Sequence, residues 1–300
     1  MSNMQVLSLG AGVQSTTLAL LACDGTLPGL QCAIFADTGW EPARVYAQLD
    51  RVEAHMASSG IPLHRVAKGN LRKDSIDPDH RFASVPYFVR NRDGSDGMGR
   101  RQCTSEYKLG PIMRKCRELL GAEPPDFRRV PKGRMVTQWI GFSTDEIHRV
   151  NDRRENLYSE KRYPLLELGM SRKDCQRYLK SVGWGGTAKS ACIGCPFHGN
   201  AQWRDLRDNS PQEWADAVEF DRQIRKGGAR GLPPNSEAFL HRSRVPLDVA
   251  PIDRISAKEH AELQIDIFDE LADIAENGPA DGCSPFGCRS GEPVIEGGAA

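Results

Sequence analysis

The segment at residues 8–17, SLGAGVQSTT, constrains this chain more than any other. The short apolar run QVLSL at 5–9 leads into two glycines, and STTLALLAC at 15–23 then spaces apolar residues as a helix does. A strand that turns through glycine directly into a helix aims free backbone N–H groups and the positive end of the helix dipole at one point, which favours an anion there. Gly10 and Gly12 permit the turn and a close backbone approach, while Ser15, Thr16 and Thr17 add hydroxyl donors in the first helical turn. The expected ligand is a phosphate group, lined by Ser8, Gly10, Ala11, Gly12, Gln14, Ser15 and Thr16. No Gly-Lys-Ser/Thr follows, so the loop is not a Walker A motif. It partly meets the dinucleotide pattern through Gly10, Gly12 and Ser15, with Asp37 where a ribose-binding acid would sit.

The apolar run LQCAIFAD at 30–37 predicts a buried parallel strand, ended by Thr38-Gly39 before a helix over 41–58, and IPLHRV at 61–66 predicts a third strand. Strand and helix in alternation require right-handed crossovers, so the expected fold is α/β with a doubly wound, mainly parallel sheet. Residues 70–100 read as a polar loop region in which only 83–89 is ordered. Helices are expected over 106–120, over 171–182 with Ser171 and Asp174 forming its cap, and over the Trp-rich 200–226. A further strand is expected at 135–142 and a late amphipathic helix at 257–276, before a Gly- and Pro-rich tail. The implied organisation is a nucleotide-binding α/β domain at 1–185 and a cysteine-containing helical region with its tail at 186–300.

No apolar run approaches the roughly 20 residues a membrane span needs, and the first residues lack the basic and apolar segments of a secretory signal. The expected location is the cytoplasm, where the nine cysteines serve as thiols or metal ligands in preference to disulfides. Net charge is zero, but residues 99–134 carry ten Lys/Arg against four acids, which makes that stretch either a phosphate-holding surface or a solvated face.

VLSLGAGVQSTTLAL resembles the pyrophosphate loop of the PP-loop ATP pyrophosphatases, and FADTGWEP is similar to the second-strand segment of their phosphoadenosine phosphosulfate reductase branch. RRQCTSEYKLGPI, IGFSTDEIHR and YPLLELGMSRKDCQRYL resemble later segments of the same branch in the same order. The chain departs from the family pattern at Gly10-Ala11-Gly12 and Gln14, where Ser-Gly-Gly and Asp are usual, and at Ser143, where the reductases have Arg. The resemblance implies an adenine nucleotide alpha hydrolase-like fold that binds ATP with Mg2+ and splits it between the α and β phosphates. It also implies transfer of AMP to activate an acceptor oxygen. Asp37, Asp145 and Glu146 are then the candidate catalytic acids, and Asp37, Thr38 and Gly39 the adenosine side of the site.

Cys192-Ile-Gly-Cys195-Pro sets two thiolates at a spacing that suits one metal ion or cluster. Cys103, in the basic setting RRQCTSEYK, and one tail cysteine bring the set to four; Cys288 is the preferred tail member over Cys283. The family resemblance implies a [4Fe-4S] cluster on Cys103, Cys192, Cys195 and Cys288, with Zn2+ the competing occupant and His198 near enough in sequence to join it. Cys23, Cys32, Cys116 and Cys175 fall on apolar or helical positions and read as small buried hydrophobes, while His198 and His241 read as histidines satisfied locally.

Three functions remain open on the sequence. The first is ATP-dependent sulfur transfer or nucleotide modification, with tRNA, DNA, a nucleotide or a metabolite as acceptor and a cysteine desulfurase as a candidate sulfur donor. The second is thiol-dependent reduction of a sulfonucleotide by a tail cysteine. The third is zinc-stabilised nucleic-acid binding without chemistry, with the basic stretch supplying a salt-dependent affinity.

Overall fold

The computed structural model describes residues 3–80, 85–150, 156–226, 232, 234–255, 259–260, 283–284 and 287–288, the last four in backbone alone. Five parallel strands form the central sheet: β1 (Met4–Leu9), β2 (Cys32–Asp37), β3 (Leu63–Ala67), β6 (Val136–Trp139) and β7 (Ser159–Arg162), in the order β3-β2-β1-β6-β7. Alternation along the strands divides their side chains between two cores. Leu7, Leu9, Ala33, Phe35 and Trp139 face α1 (Val13–Cys23), α2 (Ala43–Ser58) and α6 (Arg172–Ser181). Val6, Cys32, Ile34, Ala36 and Val136 face α4 (Gly110–Leu119) through Ile112 and Cys116. Both faces are covered, so the sheet is doubly wound, as expected. The strand order reverses at β1, and the crevice beyond the carboxyl ends of β1 and β6 is the place where such sheets bind ligands.

A third core lies beyond that end of the sheet. It gathers α3 (Leu71–Ile76), α7 (Asn200–Asn209), α8 (Pro211–Arg225) and a three-stranded antiparallel sheet of β4 (Phe88–Arg90), β5 (Asp96–Met98) and β8 (Glu237–Phe239). Trp40, Tyr107, Trp203 and Phe220 fill it, none more than 4% exposed. Trp40 and Tyr107 join it from the sheet side of the chain, and Trp203 and Phe220 from the region after residue 185.

Several expectations are corrected. Residues 70–100 hold α3 and the β4–β5 hairpin in place of a single ordered piece at 83–89. The expected helix at 106–120 begins as a π-helical stretch, Thr104–Leu109, before α4. The helical region at 200–226 breaks at Ser210 because Pro211 has no N–H to continue it. The strand at 135–142 is shorter than expected, and β7 was not foreseen, since its sequence SEKR carries no apolar signal. The cap of α6 is as expected: the Ser171 hydroxyl accepts from Asp174 N–H, and the Asp174 carboxylate accepts from Ser171 N–H. The helix expected at 257–276 lies outside the described residues, apart from positions 259–260. No described helix is long and apolar enough to cross a membrane.

Candidate nucleotide and thiol site

The loop after β1 is tied by its own residues. Gly10 N–H donates to Ser15 Oγ at 3.2 Å, the Ser15 hydroxyl donates to Gly12 O at 3.3 Å, and the Thr17 hydroxyl donates to Val13 O at 3.0 Å. Two of the three expected hydroxyl donors are therefore engaged within the helix start. Thr16 Oγ1 is fully buried and has no hydrogen-bond partner among the described residues. Ala11 stands at a φ of 54°, in the left-handed region that favours glycine.

β6 closes the crevice from the other side. A Cβ at Gly141 would stand 3.2 Å from Ser15 N and 3.4 Å from Gln14 Cβ, so a side chain there would push on the loop. Gln14 donates to Glu146 Oε2 at 3.1 Å and accepts from Arg172 Nη1 at 3.2 Å. Arg149 pairs with the same Glu146. Asp145 accepts from Arg172 N–H at 2.6 Å and from Ser143 Oγ at 3.2 Å. Gln14, Asp145 and Glu146 thus form one network, in which Gln14 links the loop to the start of α6. Ser8 Oγ lies 3.5 Å from Gln138 Oε1, on the sheet beneath.

At the end of β2, Asp37 Oδ1 accepts from Gly39 N–H and from the Tyr46 hydroxyl, each at 2.7 Å. Burial and then this carboxylate raise the Tyr46 pKa, so the phenol stays protonated as donor. Thr38 is fully buried, and its Oγ1 lies 3.3 Å from Cys192 Sγ and 3.2 Å from Glu41 Oε1. Gly39 holds a φ of 68° against Asn70, whose side chain donates to Gly39 O.

The cysteine turn docks onto this strand end. Ile193 N–H donates to Trp40 O at 2.9 Å, and a Cβ at Gly194 would fall 2.0 Å from Trp40 Cη2, so only glycine fits between the two cysteines. Trp40 Nε1–H in turn donates to Asp216 Oδ2 at 2.7 Å, and Arg72 holds Oδ1 of the same carboxylate. Upstream of the turn, Ser190 sits 3.4 Å from the place a Gly12 Cβ would occupy. The phosphate loop and the cysteine turn are therefore neighbours.

Glu41 has a fully buried side chain, and its Oε1 accepts from Lys108 at 3.2 Å as well as from Cys192 Sγ at 3.4 Å. Burial and then the adjacent carboxylate push the Cys192 thiol well up, so it carries its proton. Desolvation works against the Lys108 charge, but the Glu41 carboxylate outweighs it and raises that pKa. Burial raises the Cys195 thiol, and Cys103 lies half-buried at the start of the π-helical stretch. Cys103 and Cys192 pack against the same core, and Cys195 N–H donates to Cys192 O at 3.1 Å within the turn. The Cys288 side chain lies outside the described residues.

His198 Nε2 bonds Cys192 O at 2.9 Å, its Nδ1 is buried without a partner, and burial lowers its pKa to about 4. His241 bonds Asn200 and Ser243. Cys32, Cys116 and Cys175 are at most 1% exposed, and burial lifts their thiols to about 11, 12 and 11. They are packing residues, as expected. Trp203 stacks edge-on to His198 and to Trp214 around the cysteine region.

The thiol types present suit a soft metal, and Glu41 Oε2 is buried with no hydrogen-bond partner among the described residues. As placed, no three His, Cys, Asp or Glu side chains among the described residues form a finished metal site. Sequence reasoning passed over Glu41 and counted Lys108 only as part of a basic stretch; an acid between Trp40 and Pro42 gives no signal of burial.

No protein-family model matches the chain, and no curated protein matches it. Among solved structures it is similar to phosphoadenylyl-sulfate (PAPS) reductase from Candida auris, determined as a phosphate complex. The identity is 15%, over 63% of this chain and 76% of that one, with a TM-score of 0.38.

Proposed function

We propose that the chain is an enzyme that binds ATP on the loop at residues 8–17 and couples its cleavage to sulfur chemistry at the neighbouring cysteines. The observation that carries this reading is adjacency. Gly12 of the loop abuts Ser190, and Thr38 at the end of the next strand touches Cys192, so one end of the sheet serves an anion and a thiol group together.

In the proposed reaction an acceptor oxygen attacks the α-phosphorus of ATP, the bond to the β-phosphate breaks, and pyrophosphate leaves. A sulfur nucleophile then displaces AMP together with that oxygen. Backbone N–H groups of the loop and the Thr16 hydroxyl would hold the phosphates, and Mg2+ would offset their charge. Asp37, Asp145 and Glu146 are each hydrogen-bonded in place, which suits positioning of the nucleotide and of the loop. The cysteines would hold the metal group: a [4Fe-4S] cluster by family resemblance, or Zn2+. Sulfur would come from a donor such as a cysteine desulfurase, and tRNA or DNA are candidate acceptors.

A second reading is sulfonucleotide reduction. Cys192 is protonated and buried against Glu41, a poor nucleophile, so the attacking thiol would be Cys283 or Cys288. One assay separates the two. Pyrophosphate and AMP formed from ATP in the presence of an acceptor support the first. Sulfite released from PAPS or its 3′-dephospho form by a reductant, lost in Cys283→Ser or Cys288→Ser, supports the second. Salt-sensitive nucleic-acid binding with neither product would overturn both.

A further inference from the structure

We propose that Arg172 binds the distal phosphates of the nucleotide, and that the neutral amide of Gln14 holds its guanidinium in place without cancelling its charge. This rests on the ATP part of the reading above and asks nothing of the cysteines.

The first observation is how charge is shared beside the loop. Glu146 pairs with Arg149, and Asp145 accepts from the Ser143 hydroxyl and from the Arg172 backbone N–H. Both carboxylates belong to the network that contains Arg172, yet neither takes its guanidinium. Among the described residues no carboxylate stands within ion-pair distance of that group, and its hydrogen bond runs from Nη1 to the amide oxygen of Gln14 at 3.2 Å. A half-buried arginine beside two acids would ordinarily pair with one of them. Here it keeps its charge, and most of its donor fork, for another anion.

The second observation is that the amide is fixed one way round. Gln14 Nε2 donates to Glu146 Oε2 at 3.1 Å, so the nitrogen faces an acceptor and the oxygen is left to face Arg172. Turned over, the amide would set nitrogen against guanidinium and oxygen against carboxylate, two repulsive contacts in place of two bonds. The Glu146–Arg149 pair thus anchors the amide, and the amide holds Arg172 through a neutral acceptor. Arginine grips a phosphate by parallel bonds between opposite charges, each roughly twice as strong as a neutral one, so a phosphate displaces the amide.

The third observation is direction. Gln14 is the second residue of α1, so the guanidinium stands one side chain away from the backbone N–H groups that begin that helix. It approaches from the start of α6, which packs in the same core as α1 through Cys175 and Leu179 and is tied to Asp145 just beyond β6. Asp37 and Thr38 lie on the opposite side, at the end of β2, with β1 between β2 and β6. A nucleotide with its adenosine beside β2 and its α-phosphate on the loop therefore directs its terminal phosphates toward Arg172.

The test is calorimetric titration of the full chain, in Mg2+, with ATP, pyrophosphate and AMP. Arg172→Ala should weaken ATP and pyrophosphate about tenfold or more, while AMP, which lacks the distal phosphates, changes by less than about twofold. Gln14→Glu should lose a similar factor for ATP, because the new carboxylate pairs with Arg172. The Gln14→Glu/Arg172→Ala double variant should then lose no more than Arg172→Ala alone. In the wild type, which needs no substitution, pyrophosphate should slow phenylglyoxal labelling of Arg172, read by peptide mass, and AMP should not. Unchanged ATP affinity in Arg172→Ala, equal losses for ATP and AMP, or labelling of Arg172 indifferent to pyrophosphate would each overturn the proposal while the ATP reading stands, since the wild type still binds ATP. Additive losses in the double variant would overturn the role given to Gln14. A wild type that binds neither ATP nor pyrophosphate would sink both readings together.

Discussion

In the loop after β1, the bonds that set its shape come from within a few residues: Gly10 to Ser15, Ser15 to Gly12, Thr17 to Val13. The cysteine turn, at the same end of the sheet, is held from afar, by Trp40 from the end of β2, by Arg72 from α3 and by Asp216 from α8. A strand feeding a helix through glycines makes the first site almost anywhere it occurs. The second exists only when three separate elements have met. Local sites tolerate damage elsewhere in the fold, whereas assembled ones report it.

This contrast can be broken by experiment. The largest effect should follow Trp40→Ala, which empties the space against Gly194 and Phe220 and should cost about 3–5 kcal/mol in denaturant unfolding. It should also disorganise the cysteine turn while the loop keeps its affinity for nucleotide; equal loss at both sites would remove the distinction. Gly194→Ala should cost roughly 1–3 kcal/mol by forcing a methyl into the Trp40 ring, and faster alkylation of Cys192 would mark the turn as its target.

Acid sharpens the contrast by a different route. Burial holds the His241 pKa down at about 4, below its unfolded value near 6.5. The unfolded chain takes up a proton first, so this contribution is complete above about pH 6.5 and is lost as pH falls toward 4, by roughly 1–3 kcal/mol. Melting temperatures of the wild type and of His241→Gln across that window should converge at the acid end. Parallel curves would show that His241 does not carry the sensitivity. The smallest effect is expected on the loop side: Ser15→Ala removes the hydroxyl's bonds to Gly10 N–H and Gly12 O and should cost about 1 kcal/mol, with several-fold weaker ATP binding. If Ser15→Ala destabilises as much as Trp40→Ala, the loop is not the self-sufficient unit described.

The same division explains what could be read in advance. β1, the loop, α1, β2 and the cap of α6 announce themselves because glycine, apolar period and capping residues act over short distances. The cysteine pair was visible as a spacing, but its seat on Trp40 was not, since nothing near residue 40 or residue 194 encodes the other. β7 escaped because a short strand of charged residues looks like surface, and Glu41 escaped for the same reason although it is buried. α3 escaped inside a stretch of turn formers, where Asn70, a typical loop residue, in fact caps the helix by accepting from Lys73 N–H.

The contact between Thr38 and Cys192 spans 154 residues of chain. Closing so long a loop is slow relative to forming the strands and helices on its way. During synthesis the end of β2 is made early and waits for its partner through about half of translation. Once made, and until that contact closes, the Cys192 thiol stands in water, open to oxidants and to stray metal, and its disappearance from solvent dates the completion of the molecule.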